Sequence, residues 1–239
     1  MGVFLSAEWR DLLFFNYEVD RTELEPLAPP GTVLDTYRGV AYLTLVGWHC
    51  ANSRVRGKCA SSPLGHTQLD LRFYVRRFDG TDWQRGFVSL RGLLPPEALG
   101  TAGAFSSPDR FRGQPTRHQL ALEAGERTIS VEWEDGGIWN RMLGRAAGLG
   151  RTPNPGTLEE FVTEHHWAYA SDEAGGTREY RLDRRPWAVW RATESALECP
   201  DAALFAEGWT KALSPRPASA LMASGSEVSV HEGQPMLPG

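Results

Sequence analysis

Within the stretch 67–78, apolar and polar residues alternate one by one over the nine residues 68–76. Leu69, Leu71, Phe73 and Val75 fall on one parity and Gln68, Asp70, Arg72, Tyr74 and Arg76 on the other, the period-two signature of a β-strand. Successive side chains of a strand point to opposite faces. One face here is therefore wholly apolar, while the other carries an amide, a carboxylate, a guanidinium and a phenol in a row. Such a row is either the wetted face of an antiparallel sheet or the wall of a cavity.

The neighbouring pattern is also mostly β. Asp79-Gly80 is a turn dipeptide and residues 83–90 return as a strand, which predicts a hairpin. Two more hairpins are predicted: 118–122 with 128–133 through Ala124-Gly125, and 165–170 with 178–182 through Gly175-Gly176. Residues 40–48 read as a strand buried on both faces, 52–65 as a polar loop, and 186–192 and 226–230 as further strands. Short helices are expected at three places. Ser6 can cap one in which Leu5, Trp9, Leu12 and Leu13 form an apolar stripe covering one end of the sheet. Thr157 and Glu160 form a capping box for a single turn feeding a strand at 161–169, and 200–206 reads as a third. Residues 136–156 leave a short helix and an irregular loop open. With no repeat or linker, a single domain over 1–239 is expected.

The chain has 239 residues, 41% hydrophobic and 23% charged, values of a globular protein with a full core. An all-β domain of about 200–250 residues is ordinary. The net charge of −5 gives no basic field for a polyanion, so no nucleic acid is expected. No run approaches the roughly 18 apolar residues of a membrane span, so no membrane is expected. The start fits the short myristoylation pattern with Ser6, which arises readily by chance, and lacks the basic and apolar regions of a secretory signal. Three cysteines, Cys50, Cys59 and Cys199, without metal-ligand spacing fit a reducing, cytoplasmic location. Basic residues are nearly all arginine; Lys58 and Lys211 are the two lysines.

Candidate chemistry sits in two places: the polar face bearing Gln68, Asp70, Arg72 and Tyr74, and the run Thr-Glu-His-His-Trp-Ala-Tyr at 163–169. In an extended strand His165, Trp167 and Tyr169 share one face and Glu164 and His166 the other. His, Trp and Tyr together suit an aromatic pocket with one titratable group, or equally a core with one hydrogen-bonded histidine. Adjacent histidines point apart on a strand, and no Cys-x-x-Cys or His-Glu-x-x-His spacing occurs, so no metal is expected. No nucleophile elbow, phosphate-cradling loop or dinucleotide fingerprint occurs, and no cofactor is expected.

Several motifs in order carry a family resemblance. They are Trp-Arg-Asp-Leu-Leu-Phe-Phe-Asn-Tyr from Trp9, Pro-Pro-Gly-Thr from Pro29, Gly-Val-Ala-Tyr-Leu-Thr-Leu-Val-Gly-Trp from Gly39 and Leu-Arg-Phe-Tyr-Val-Arg-Arg from Leu71. Arg-Gly-Phe-Val-Ser-Leu-Arg from Arg85, Glu-Glu-Phe-Val-Thr-Glu-His-His-Trp-Ala-Tyr from Glu159 and Gly-Ser-Glu-Val from Gly225 follow. The chain resembles the YqjF-like family of uncharacterised bacterial proteins, fold relatives of acetoacetate decarboxylase. The resemblance implies a large flattened antiparallel β-barrel with an internal cavity, and moves the polar face toward a cavity wall. Arg72 stands where the family has its arginine, and Glu164 and His165 where it has Glu-His. Two places depart: Gln68 and Asp70 stand where the family has glutamate and asparagine, and Arg184-Arg185 replace a His-Pro ahead of the tryptophan.

The decarboxylase uses a Schiff-base lysine activated by a neighbouring cation. This chain has no lysine pair, and neither lysine falls on a predicted cavity strand, so that reaction is not expected. The first expectation is a barrel binding a small carboxylate or carbonyl compound, with Arg72 as anchor and Asp70, Gln68, Tyr74, Trp167 and Tyr169 as wall. Arginine suits this because its planar fork can hold a carboxylate through two hydrogen bonds. A lysine-independent lyase or hydrolase using His165 or Glu164 is the second expectation, and a non-catalytic structural or interaction protein the third.

Overall fold

The computed structural model describes residues 2–60, 64–102, 110–172, 174–199, 209–213 and 216–236; the helix expected at 200–206 lies outside them. In chain order the first strands are β1 (Val3–Val19), β2 (Val33–Leu34), β3 (Ala41–Val55), β4 (Lys58–Cys59), β5 (His66–Phe78) and β6 (Trp83–Leu94). Then come β7 (Phe111–Gly113), β8 (Thr116–Glu123), β9 (Glu126–Asp135), β10 (Ile138–Ala147) and β11 (Trp167–Ser171). The last are β12 (Thr177–Arg184), β13 (Val189–Arg191), β14 (Glu194–Glu198), β15 (Ser219–His231) and β16 (Gln234–Pro235). The helices are short, and Leu158–Thr163 matters most for the site.

Strand pairing runs β15-β1-β3-β5-β6-β11-β12, and β12 pairs back onto β15 through Leu182↔Val230 and Arg184↔Val228. The large sheet thus curls into a ring, the flattened barrel of the expected class. One step of it, β6 beside β11, is parallel. A parallel neighbour needs a long crossover, and here the chain makes it by building β8, β9 and β10 in between; β14, supplied later by Glu194–Glu198, completes their four-stranded sheet in the order β14-β10-β9-β8.

Two apolar layers result. Inside the ring, Trp9, Phe14, Val46, Trp48, Tyr74, Phe87, Trp187 and Val228 pack with Phe161 and Val162 of the helix. Between the ring and the second sheet lie Leu13, Phe15, Leu43, Leu71, Phe73, Val131, Trp133 and Met142. The two sheets approach closely at Gly47, where a Cβ would stand 2.7 Å from a methyl of Val131.

The predicted hairpins form, with β5 and β6 joined so that Phe78 faces Trp83, and β8 and β9 so that Glu123 faces Glu126. Other expectations are corrected. The N-terminal helix is instead the strand β1. Leu5, Ala7 and Trp9 point into the ring, the register slips between Arg10 and Leu13, and Leu12 and Phe14 point inward after it. A bulge that shifts phase by one residue turns the inward step into Trp9 to Leu12, a helical spacing, while Leu13 is apolar because it faces the second sheet. Residues 136–156, left open by the sequence, contain β10, turned from β9 by Gly136-Gly137. The expected loop at 52–65 is partly strand, since β3 runs to Val55 and pairs with β4. The strand expected at 161–169 begins only at Trp167, because the helix capped by Thr157 continues to Thr163.

Candidate functional site

Gln68, Asp70, Arg72 and Tyr74 all point into the ring and are buried, Asp70 at 2% and Arg72 at 5% exposure. Their apolar alternates, Leu69, Leu71, Phe73 and Val75, face the second sheet. Both faces of β5 are therefore covered, and the polar face is an interior wall.

Arg72 lies with its guanidinium 4.7 Å from the ring centre of Phe87 and 5.4 Å from that of Phe14. It forms no ion pair among the described residues, and its Nε has no hydrogen-bond partner. Aromatic faces attract a cation, but they do not replace a counter-ion in a buried place. Asp70 accepts a hydrogen bond on Oδ2 from the Ser89 hydroxyl at 2.8 Å, while its Oδ1 has none among the described residues. Burial pushes the Asp70 carboxyl up to about 6, against the pull of Arg72, Ser89 and Arg110. Gln68 stands across the ladder from Trp48, whose indole N–H is likewise buried without a partner among the described residues.

Tyr74 donates to Thr44 Oγ1 at 3.0 Å, Thr44 donates to Asn16 Oδ1 at 2.8 Å, and the Asn16 amide donates to Ser219 Oγ at 3.0 Å. This relay crosses β5, β3, β1 and β15 and satisfies the polar groups at that level of the interior.

His165 follows the helix Leu158–Thr163 and stacks on Tyr74, bringing it to the same interior. Neither ring nitrogen has a hydrogen-bond partner among the described residues. Burial, with the charges of Arg85, Arg72 and Arg184, holds its pKa well below the ordinary histidine value, so the imidazole is neutral. Glu164 is committed elsewhere, to Arg184 and to His166, each at 3.5 Å. Burial would raise its pKa, but the His166 hydrogen bond and the Arg184 charge outweigh that and lower it.

Trp167 and Tyr169 do not join Arg72. They belong to the layer between the sheets, with the Tyr169 hydroxyl donating to the Gln84 carbonyl at 3.2 Å. The backbone between helix and strand changes phase, so His165 does not share a face with them. In their place the interior wall is Trp9, Trp48 and Trp187, with Trp9 ring centres 5.2 Å from Trp48 and 6.4 Å from Trp187.

Arg184 is the group that strand-by-strand reading missed. Its side chain is 1% exposed, lies 3.8 Å over Trp187, and donates to the Thr163 carbonyl. Burial and the charge of Arg72, opposed by Glu164, bring its pKa down to about 10. The available signal was its place in Arg184-Arg185, ahead of Pro186-Trp187, where the resembling family has a titratable residue. Lys58 and Lys211 are both exposed, on β4 and on the short helix Thr210–Leu213. Among the described residues no group of three or more His, Cys, Asp or Glu could hold a metal ion. No described helix is long and apolar enough to cross a membrane.

The family model of DUF2071, an uncharacterized conserved protein, matches residues 6–227. The chain belongs to the DUF2071 family. The YqjF-like resemblance is consistent with this assignment. A comparison of this DUF2071 chain with curated proteins finds no match. Among solved structures it is similar to acetoacetate decarboxylase of Legionella pneumophila, with TM-score 0.61 and 14% identity over 98% of this chain and 87% of the other. An acetoacetate decarboxylase-like enzyme of Sphingomonas wittichii gives TM-score 0.61 and 12% identity, covering 99% and 94%. The enduracididine biosynthesis enzyme MppR, complexed with the condensation product of pyruvate and imidazole 4-carboxaldehyde, gives 0.62 and 10%, covering 98% and 90%. At these identities the likeness establishes that the DUF2071 chain has an acetoacetate decarboxylase-like fold.

Proposed function

We propose that this protein binds a small carboxylate or carbonyl compound inside its barrel, anchored by Arg72. The observation that carries the reading is a buried guanidinium with no counter-ion among the described residues, although a carboxylate, Asp70, lies two residues away on the same face. An uncompensated buried charge costs several kcal/mol, so a site of this kind is completed by an anion. Trp9, Trp48 and Trp187 supply an apolar body for the rest of the ligand. The exposure of both lysines sets the reading apart from imine-forming decarboxylation, which needs a desolvated or cation-paired amine. Solved structures of MppR, a fold neighbour, hold pyruvate or its condensation product, which supports a carboxylate of this size class.

The test is a thermal-shift screen with pyruvate, benzoate, acetate and neutral ketones on wild type and Arg72→Ala. A compound at about 100 times its Kd stabilises by about 2.7 kcal/mol, a shift of roughly 5–10 °C. A shift present in wild type and lost in the variant is expected. No shift with any compound in a cooperatively unfolding protein supports instead a structural or interaction role.

A second reading is favoured by one observation, the neutral His165 with both nitrogens unpartnered. It is a lyase or hydrolase in which His165 takes a proton from a substrate held by Arg72. Turnover that disappears in His165→Gln while binding persists would support it.

A further inference from the structure

We propose that Asp70 is the second ligand contact: as a carboxylic acid it donates from Oδ1 to the ligand's carboxylate, so that a small monocarboxylate enters the barrel together with one proton. The inference rests on Arg72 as anchor and adds the ligand's charge class and the proton.

Asp70 and Arg72 are i and i+2 on one face of β5, about 7 Å apart along the backbone, yet they form no ion pair. Among the described residues each keeps one unpartnered polar atom, Oδ1 on Asp70 and Nε on Arg72. A single carboxylate answers both, one oxygen accepting from the Arg72 N–H and the other from a protonated Oδ1. The remaining oxygen of Asp70 is already fixed by Ser89, so the acid is aimed rather than free to rotate.

Among the described residues the groups facing Asp70 are few. From its own strand come Gln68, Arg72 and Tyr74. From β6 come Ser89 and Gly92, and from β3 Val46. Arg110, which donates to the Ser89 carbonyl at 2.6 Å, is the second nearby cation. In the free protein Asp70 titrates near 6 because burial outweighs these two charges. A bound carboxylate cancels Arg72 and adds a negative charge beside Asp70, and two carboxylates sharing a site cannot both ionise. The proton therefore enters with the ligand at any pH above about 6. A dianion such as phosphate would set a second charge against Asp70 and is disfavoured.

The experiment is isothermal titration calorimetry of the full chain with pyruvate and with benzoate, at pH 7.5 in two buffers of different ionisation enthalpy, then across pH 5.5–8.5. Wild type is expected to take up close to one proton per carboxylate bound, with Kd rising about tenfold per pH unit above 6.5. Asp70→Asn, isosteric with the acid and able to donate from its amide, is expected to bind with no proton uptake and no pH dependence. The buffer comparison on wild type reads the proton without any variant. Pyruvate or benzoate binding that is lost in Arg72→Gln but is pH-independent in wild type overturns the role of Asp70 and leaves Arg72 standing. Undiminished proton uptake in Asp70→Asn does the same. Binding of neither probe to folded wild type, or binding unaffected by Arg72→Gln, overturns the Arg72 anchor and this inference with it.

Discussion

The imidazole of His165 lies nearly parallel to the phenol ring of Tyr74, with centroids 4.5 Å apart and an angle of 18° between the planes. Phe161 meets the same imidazole edge-on at 5.7 Å. This packing suits a neutral ring, and protonation inside it is opposed by burial and by three arginines.

Acid sensitivity follows from His165 and from His66. His66 is buried with both nitrogens unpartnered among the described residues, and burial together with the His49 charge pushes its pKa down to about 4. An unfolded histidine takes its proton near pH 6.5. Between about 6.5 and 4 the unfolded chain therefore binds more protons, and stability falls as pH falls, by about 3 kcal/mol for His66. Urea midpoints measured from pH 7 to 4.5 should drop in wild type and drop less in His66→Gln.

Asp70 acts with the opposite sign. Its folded pKa of about 6 lies above the unfolded value of 3.8, so the folded state holds the extra proton between them. Its contribution is present below about pH 4 and is lost as pH rises through 6. Asp70→Asn should leave stability near pH 4 unchanged and raise it at pH 8 by about 2–3 kcal/mol. Equal effects at both pH values in denaturant melts would refute this account.

The buried side chain of Arg184 pairs with the half-buried Glu164, and removing one partner strands the other. Arg184→Ala should cost about 3–5 kcal/mol, since it also withdraws the donor to the Thr163 carbonyl and the cation over Trp187. The double variant with Glu164→Gln should be less destabilised than the sum of the two singles, which a double-mutant cycle on Tm reads directly.

Gly225 stands opposite Arg10 across the β1–β15 ladder at φ +77°, and a Cβ there would collide with the Trp9 carbonyl. Neither the left-handed backbone nor the clash can be relieved by a flexible side chain. Gly225→Ala should cost about 3 kcal/mol or more, while Gly57→Ala, also at positive φ but with open space around its Cβ, should cost much less. Comparing the two melting temperatures separates the clash from the backbone preference.

How much of this was legible in the sequence differs from element to element. The strand β5 and its hairpin with β6 were readable because alternation and a turn dipeptide are local signals. The Ala124-Gly125 turn was readable for the same reason, and both residues take positive φ as such a tight turn demands. β1 was misread because its bulge at Asp11, φ +50°, slips the inward phase by one residue, and local spacing alone cannot tell a slipped strand from a helix. Trp167 and Tyr169 were assigned with His165 on the assumption of one continuous strand. The helix reaching Thr163 breaks that strand and sends the aromatics to the other layer.

The sequence by itself determined that residues 67–78 carry an apolar face and a face of Gln68, Asp70, Arg72 and Tyr74, because strand periodicity needs nothing beyond the chain's own neighbours. Which face is inside was decided by tertiary structure alone. The pairing of β12 with β15 closes the ring around the polar row, and the second sheet covers the apolar row. The same closure carries Arg184 on β12 into the neighbourhood of Arg72 on β5, and the helix at 158–163 delivers His165 to Tyr74. Those meetings join residues about 90 to 110 positions apart, and contacts at that separation are fixed by how strands pair around a ring, which no local pattern records.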